Sequence, residues 1–264
     1  MGRLLRRLRG RIPGGPRVLI VGGAAVLVIA AAGTALAVRD PGPVPGQTAS
    51  VAASGQARAT LRVTSGTPLL LIRVASAGAP HGTLIQARTP AGAPVRPQLK
   101  ETGGANDTSV DLSLAGSGGG GSAGGSGGGG YPVTVTLSRA VSWALVFAGG
   151  TQRTVADLRG GHVAVLLFTA GSDVIDVTLP RPGGAVPLIV AGGVSRLLVH
   201  LPAGVPVRVS AAGGAGEVTL DGTTQTGVAG GTVLTSPGWR EAEPDVDVDA
   251  TAGASQISVT RYPR

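Results

Sequence analysis

The chain has 264 residues, among them 46 Gly, 19 Pro, two each of Trp, Tyr and Phe, and no Cys. That composition favours one domain of many short elements around a Val, Leu, Ile and Ala core, and it excludes a disulfide framework and any thiolate metal site. The formal charge of +8 is misleading, because six of the 22 basic residues (Arg3, Arg6, Arg7, Arg9, Arg11, Arg17) precede residue 18 and all 14 acidic ones follow it, leaving only +2 on residues 18–264; the main domain lacks the basic footprint of a nucleic-acid binder.

Residues 1–17 read as a basic tail, and residues 18–38 (VLIVGGAAVLVIAAAGTALAV) carry no charge. At about 1.5 Å per residue a helix over them spans about 31 Å, matching a bilayer core of roughly 30 Å, so the lipid bilayer is the partner expected for this segment. The arginines on its N-terminal side predict a cytoplasmic N-terminus and an extracytoplasmic domain, a single-pass signal-anchor in the cell membrane. The competing reading is a signal peptide cleaved after Ala37, because Ala35-Leu36-Ala37 fits a small-residue cleavage site; the apolar run is longer than such peptides use. Residues 39–55, rich in Pro, Gly, Ala and Ser, predict a flexible spacer.

Strands are expected next at 57–63, 68–74, 82–87, 95–100 and 109–114. Residues 115–130 (AGSGGGGSAGGSGGGG) predict a disordered loop. Its G-x-G-x-x-G matches have no dinucleotide meaning, since the segment that follows, Tyr131-Pro132-Val133-Thr134-Val135, is strand-like and not helical.

From Gly150 onward the chain repeats a short pattern, Gly-x-x-x-apolar-x-apolar. It starts at Gly171 (GSDVIDV), Gly193 (GVSRLLV), Gly214 (GAGEVTL) and Gly253 (GASQISV), with a degenerate copy at Gly150 (GTQRTVA). The period is about 20 residues, and an irregular unit at 223–245 stands where a further copy is due. A second alternating run precedes each glycine: Val163, Val165 and Leu167; Val186, Leu188 and Val190; Val205, Val207 and Val209; Val246 and Val248. After the glycines, alternation predicts Ile175, Val177, Leu179, Leu197, Val199, Leu201, Val218, Leu220, Ile257 and Val259 inward, with Asp176, Arg196, His200 and Thr219 outward. A two-strand unit cannot bury its apolar face alone, so neighbouring units should stack. The expected fold is all-β, a β-solenoid or twisted stacked sheet of two-strand repeats over 56–262, with a β-sandwich as the alternative.

With its glycine-turn strands, Leu201-Pro202-Ala203-Gly204-Val205-Pro206-Val207, and Ser236-Pro237-Gly238-Trp239 ahead of the last repeat, the region 56–262 resembles the toastrack-like, adhesin-like repetitive β-domains of bacterial envelope proteins. That resemblance implies an extracytoplasmic structural or sensory module and carries over no catalytic residue.

Chemistry-bearing residues are few. His81, His162 and His200 show no i, i+4 zinc spacing, and no G-x-S-x-G elbow occurs. Asp173 and Asp176 are candidates to pair with a carboxylate on a neighbouring coil, the arrangement a polysaccharide-cleaving β-helix would use, though Asp176 alternates outward like any solvated strand residue. Asp245, Asp247 and Asp249 alternate onto one strand face, where oxygen ligands suit calcium, against the blander reading of a charged face that discourages aggregation. Trp239 reads as a lid over the end of the stack, and Asn106-Asp107-Thr108 is a sequon by pattern only. No catalytic, cofactor or metal residue is assigned. The expectation is a non-enzymatic, membrane-tethered envelope module acting by self-association or on another envelope protein; the alternative is a tethered or secreted carbohydrate-active protein.

Overall fold

The computed structural model describes residues 45–76, 82–104, 107–116, 131–240 and 245–263. The expected tail (1–17), membrane helix (18–38), start of the spacer, His81, Asn106 and positions 117–130 of the glycine loop lie outside them. The strands are β1 (Thr48–Ala52), β2 (Arg58–Val63), β3 (Thr67–Val74), β4 (Thr83–Arg88), β5 (Val95–Gly104), β6 (Asp107–Gly116), β7 (Pro132–Leu137), β8 (Ser142–Phe147), β9 (Thr151–Asp157) and β10 (His162–Phe168). They continue with β11 (Ser172–Thr178), β12 (Val186–Val190), β13 (Val194–Pro202), β14 (Val207–Ala211), β15 (Ala215–Leu220), β16 (Thr223–Val228), β17 (Thr232–Thr235), β18 (Val246–Ala250) and β19 (Ala254–Tyr262). The described residues are all-β, in two mixed sheets of ten and nine strands.

Seven strand pairs each give one strand to either sheet: β2 and β3, β6 and β7, β8 and β9, β10 and β11, β12 and β13, β14 and β15, β18 and β19. Each is a two-strand coil. Pairing from coil to coil is parallel throughout, and antiparallel strands sit only at the ends of the pile: β4 and β1 beyond β7, β5 beyond β6, β16 on β15, and β17 on β14. The inner faces of both sheets share one aliphatic cluster. Every residue expected inward after a glycine is buried there, including Ile175, Leu197, Val218 and Ile257, all at 0% exposure. Trp143 joins them and donates from Nε1 to the Ser138 carbonyl at 2.9 Å, while Phe147 and Phe168 stack with centroids 4.2 Å apart.

The coils do not stack in chain order. Along both sheets the order is second, first, third, fourth, fifth, seventh, sixth. The simple stacking of neighbouring units breaks at two places, between the second and third coils and between the fifth and sixth, and runs on in chain order from the third coil to the fifth. The irregular unit explains the exchange at one end: β16 and β17 fold back antiparallel on the sixth coil and occupy the end of the pile. The last coil cannot add there, and it fills the space between β12/β13 and β14/β15.

The repeat glycines form a column along the turns between the sheets. Backbone amides just after each one donate to the next glycine carbonyl: Thr67 to Gly150, Thr151 to Gly171, Ser172 to Gly193, Val194 to Gly253, and Ala254 to Gly214, at 3.0–3.3 Å. The first coil thus has a copy of its own at Gly66 (GTPLLLI) that the sequence reading passed over, with Leu70 and Ile72 at the two buried apolar positions. The position before each glycine alternates in spatial order: Ser65, Gly149, Ala170, Gly192, Ala252, Gly213. A Cβ on Gly149, Gly192 or Gly213 would come within 2.3–2.4 Å of the backbone of Ser65, Ala170 or Ala252 respectively. In chain order that alternation is broken; it returns only when the last coil is inserted before the sixth.

Several boundaries and one facing differ from expectation, and β5 runs on to Gly104, beyond the expected 100. Within the predicted spacer, residues 48–52 form β1, because pairing with β4 satisfies a backbone that its side chains alone could not order. The loop predicted from 115 starts later, since β6 runs through Gly116 against β5. In β10, Val165 and Leu167 point outward and Leu166 and Phe168 are buried; a bulge between Val163 and Val165 adds one residue and reverses the facing of everything after it.

Candidate interaction surface

The outer face of the ten-stranded sheet carries a cross-strand polar chain. His200 on β13 places Nδ1 2.7 Å from Thr260 Oγ1 on β19 and Nε2 3.2 Å from Asp176 Oδ1 on β11. Asp176 Oδ2 in turn accepts from Arg153 on β9 at 3.4 Å. Further along, Gln256 donates to Glu217 at 3.0 Å. Five neighbouring coils are thereby tied by side chains on an open face. The sequence placed Asp176 and His200 outward but gave no sign of their meeting, because their contact depends on neighbouring coils sharing a register in which Asp176 lies opposite Leu198. An aspartate, an imidazole and a hydroxyl in a chain invite comparison with a nucleophilic triad. A triad also needs amide donors aimed at a developing oxyanion, and in the middle of a sheet those amides are taken by the ladder. What this set offers a partner is hydrogen bonding and charge. Asp173 is exposed, and the groups that Asp176 meets on the neighbouring coils are His200 and Arg153, not a carboxylate.

The outer face of the nine-stranded sheet has a different pattern. One row crosses it as Lys100, Asp111, Arg62, Val146, Leu167, Ile189, Asp249 and Ser210. Its apolar centre, widened by Ala144, Val165 and Pro187, is half-buried and lies between charged margins. Asp247 and Asp249 do share this outer face, as predicted, and Asp247 accepts from Arg208 Nη1 at 2.8 Å. Asp245 leaves the set: it precedes β18, is 6% exposed, and accepts from Trp239 Nε1 at 2.7 Å. Trp239 thus covers the entrance to an interior coil and not the end of the pile. Among the described residues no three or more His, Asp or Glu side chains stand together as a metal site would require.

Burying a carboxylate against an indole donor makes that bond matter. Trp239→Phe is expected to lower stability by about 1–3 kcal/mol, the penalty for leaving a buried acceptor unmet. Urea unfolding followed at Trp143 reads it, and a change under about 0.5 kcal/mol would show that solvent already serves Asp245.

At the strand ends of the C-terminal half a cleft of about 490 Å³ opens between Gly204, Asp221, Ser236 and Arg261. Its charges are spent on each other, since Arg261 donates from Nε and Nη2 to both carboxylate oxygens of Asp221, at 2.6 and 3.0 Å. Nearby, the Arg159 guanidinium hydrogen-bonds Asp157 and holds its carboxyl below the usual range, while burial raises the Tyr262 phenol, whose hydroxyl donates to the Leu179 carbonyl at 2.7 Å.

No family model and no curated protein sequence matches the chain. Among solved structures it is similar to a candidate cell-adhesion protein from Clostridium sporogenes, with a TM-score of 0.59 over 83% of this chain and 100% of that one. The fold is shared. Sequence identity is 19%, so the likeness extends to the all-β architecture and no further.

Proposed function

We propose that the chain is a membrane-anchored, extracytoplasmic interaction module of the cell envelope that performs no catalysis and whose β-domain is a toastrack-like, two-sheet solenoid. The observation that carries this reading is the pile itself: coils in parallel register present two broad, flat faces with side chains in rows, a form suited to extended contact more than to enclosing a small substrate. The uncharged segment 18–38 with its arginine flank supplies the anchor, and the description of the structural neighbour as a candidate adhesion protein is in keeping with a surface role. A carbohydrate-active reading draws no such support, because Asp176 is held by His200 and Arg153 on an open face. Protease treatment of intact cells tests the proposal. Digestion of residues 40–264 is expected, with the basic tail retained at the membrane; full protection of the domain would overturn the outward orientation.

A further inference from the structure

We infer that the end of the pile made by β16 and β17 joins two copies of this chain edge to edge, continuing the sheets across a two-fold axis. The inference rests on reading the domain as a surface-acting module and names one of its partners. Among the described residues each of these strands pairs on one side only, β16 with β15 and β17 with β14, so their outer edges turn backbone amides and carbonyls away from the pile. Such edges are templates for another strand unless charge, proline or a bulge obstructs them.

Among the described residues neither charge nor proline obstructs them, and the left-handed backbone at Gly227 (φ 63°) falls next to the last residue of β16. From Gly222 to Trp239 the chain has no charged residue, and neither strand contains proline. β16 (TTQTGV) is exposed from Thr223 to Gly227, and Val233 of β17 is a large apolar side chain at 46% exposure. Leu234 lies half-buried against the core, so a partner here would also cover apolar surface.

The other end of the pile is built differently. The edge strand β5 carries Arg96, Pro97, Lys100 and Glu101, and β1 is broken by a register shift at Val51/Ala52. Head-to-tail growth would have to mate the open end with this obstructed one. Two open ends mate with each other through identical strands, an isologous contact that closes at two copies. Antiparallel pairing of β16 with its symmetry mate satisfies both edges by main-chain hydrogen bonds, with threonine and glutamine side chains alongside.

Because the chain has no cysteine, single cysteines report cleanly. The full-length protein in detergent micelles, bearing Thr224→Cys, Gln225→Cys or Thr226→Cys, is mildly oxidised and its disulfide-linked dimer quantified, with Thr102→Cys on β5 as the opposite-end control; sedimentation gives the mass of the unmodified chain. The expected results are a dimeric mass, a linked dimer from at least one β16 position and none from β5. Adding Thr226→Lys to the Thr224→Cys or Gln225→Cys chain, which puts a lysine opposite Glu217 in its own copy and one positive charge from each copy on the joining edge, should reduce linkage at least tenfold with an unchanged circular dichroism spectrum; Val233→Lys on β17 is the second such variant should the first misfold. A monomeric mass with no linkage at any β16 position, linkage as strong from β5, or linkage indifferent to both lysines would overturn the pairing. A monomer that protease still digests from outside the cell would sink this contact and leave the module reading standing.

Discussion

Replacing Ile257 by aspartate will destabilise the domain by on the order of 4–5 kcal/mol, although the residue lies only seven positions before Arg264. Terminal segments ordinarily fray and tolerate change. Ile257 is different because β19 is an interior strand, paired in parallel with β13 on one side and β15 on the other, and its side chain is fully buried between Leu197 and Val218. A carboxylate there has no partner and no water, which places it among the few substitutions of exceptional cost. For a domain of this size the melting temperature should fall by roughly 10–15 °C. Leu197→Asp, in the middle of the chain, is expected to cost as much. Leu234→Asp on the edge strand β17 should cost less than half, because Leu234 is half-buried at the true end of the pile. Urea unfolding of the three variants separates the cases. A value for Ile257→Asp no larger than that for Leu234→Asp would mean that the last coil is peripheral.

Gly192→Ala is the second large effect, and it involves a single methyl group. The added Cβ would stand 2.3 Å from the carbonyl carbon and oxygen of Ala170, with the Gly171 nitrogen at 2.7 Å. These are backbone atoms of the neighbouring coil, so no side-chain rotation relieves the contact; coils four and five must part or the turn must deform. The expected loss is about 3 kcal/mol, at the upper end of overpacking penalties. Gly183→Ala is the matched control, with nothing within 4 Å of its Cβ and no left-handed backbone. It should be neutral or slightly stabilising, by up to about 1 kcal/mol, through the unfolded chain. Equal melting temperatures for the two variants would show that the turns are loose and that the glycine column is incidental.

The two substitutions concern one property. A pile in which successive turns nearly touch demands a residue without a side chain at every second level, and the demand is met at Gly149, Gly192 and Gly213 against Ser65, Ala170 and Ala252. A small-residue alternation that makes sense only in spatial order is a physical trace, in the sequence, of where the last coil goes.

Much of the architecture was legible residue by residue. Alternation of apolar positions after Gly171, Gly193, Gly214 and Gly253 identified strands and their inward faces correctly, because a half-buried strand has a period of two whatever its neighbours are. The run Val163, Val165 and Leu167 does not keep to one face as alternation implies, since a one-residue bulge against β8 reverses facing without leaving a mark in composition. Residues 48–52 lacked the apolar content to order themselves and became a strand only because β4 offered an edge. The polar chain from Arg153 to Thr260 was likewise out of reach, since it is assembled from four strands by their register.

By itself, then, the amino-acid order dictated an aliphatic all-β body, its glycine turns and the facing of most strands, all of which follow from local periodicity and the conformational limits of each residue. Which coil lies beside which was settled only in three dimensions. Parallel edges of similar coils accept one another almost interchangeably, so the arrangement is decided by non-local features: antiparallel strands that close one end of the pile, and backbone approaches that leave no room for a side chain.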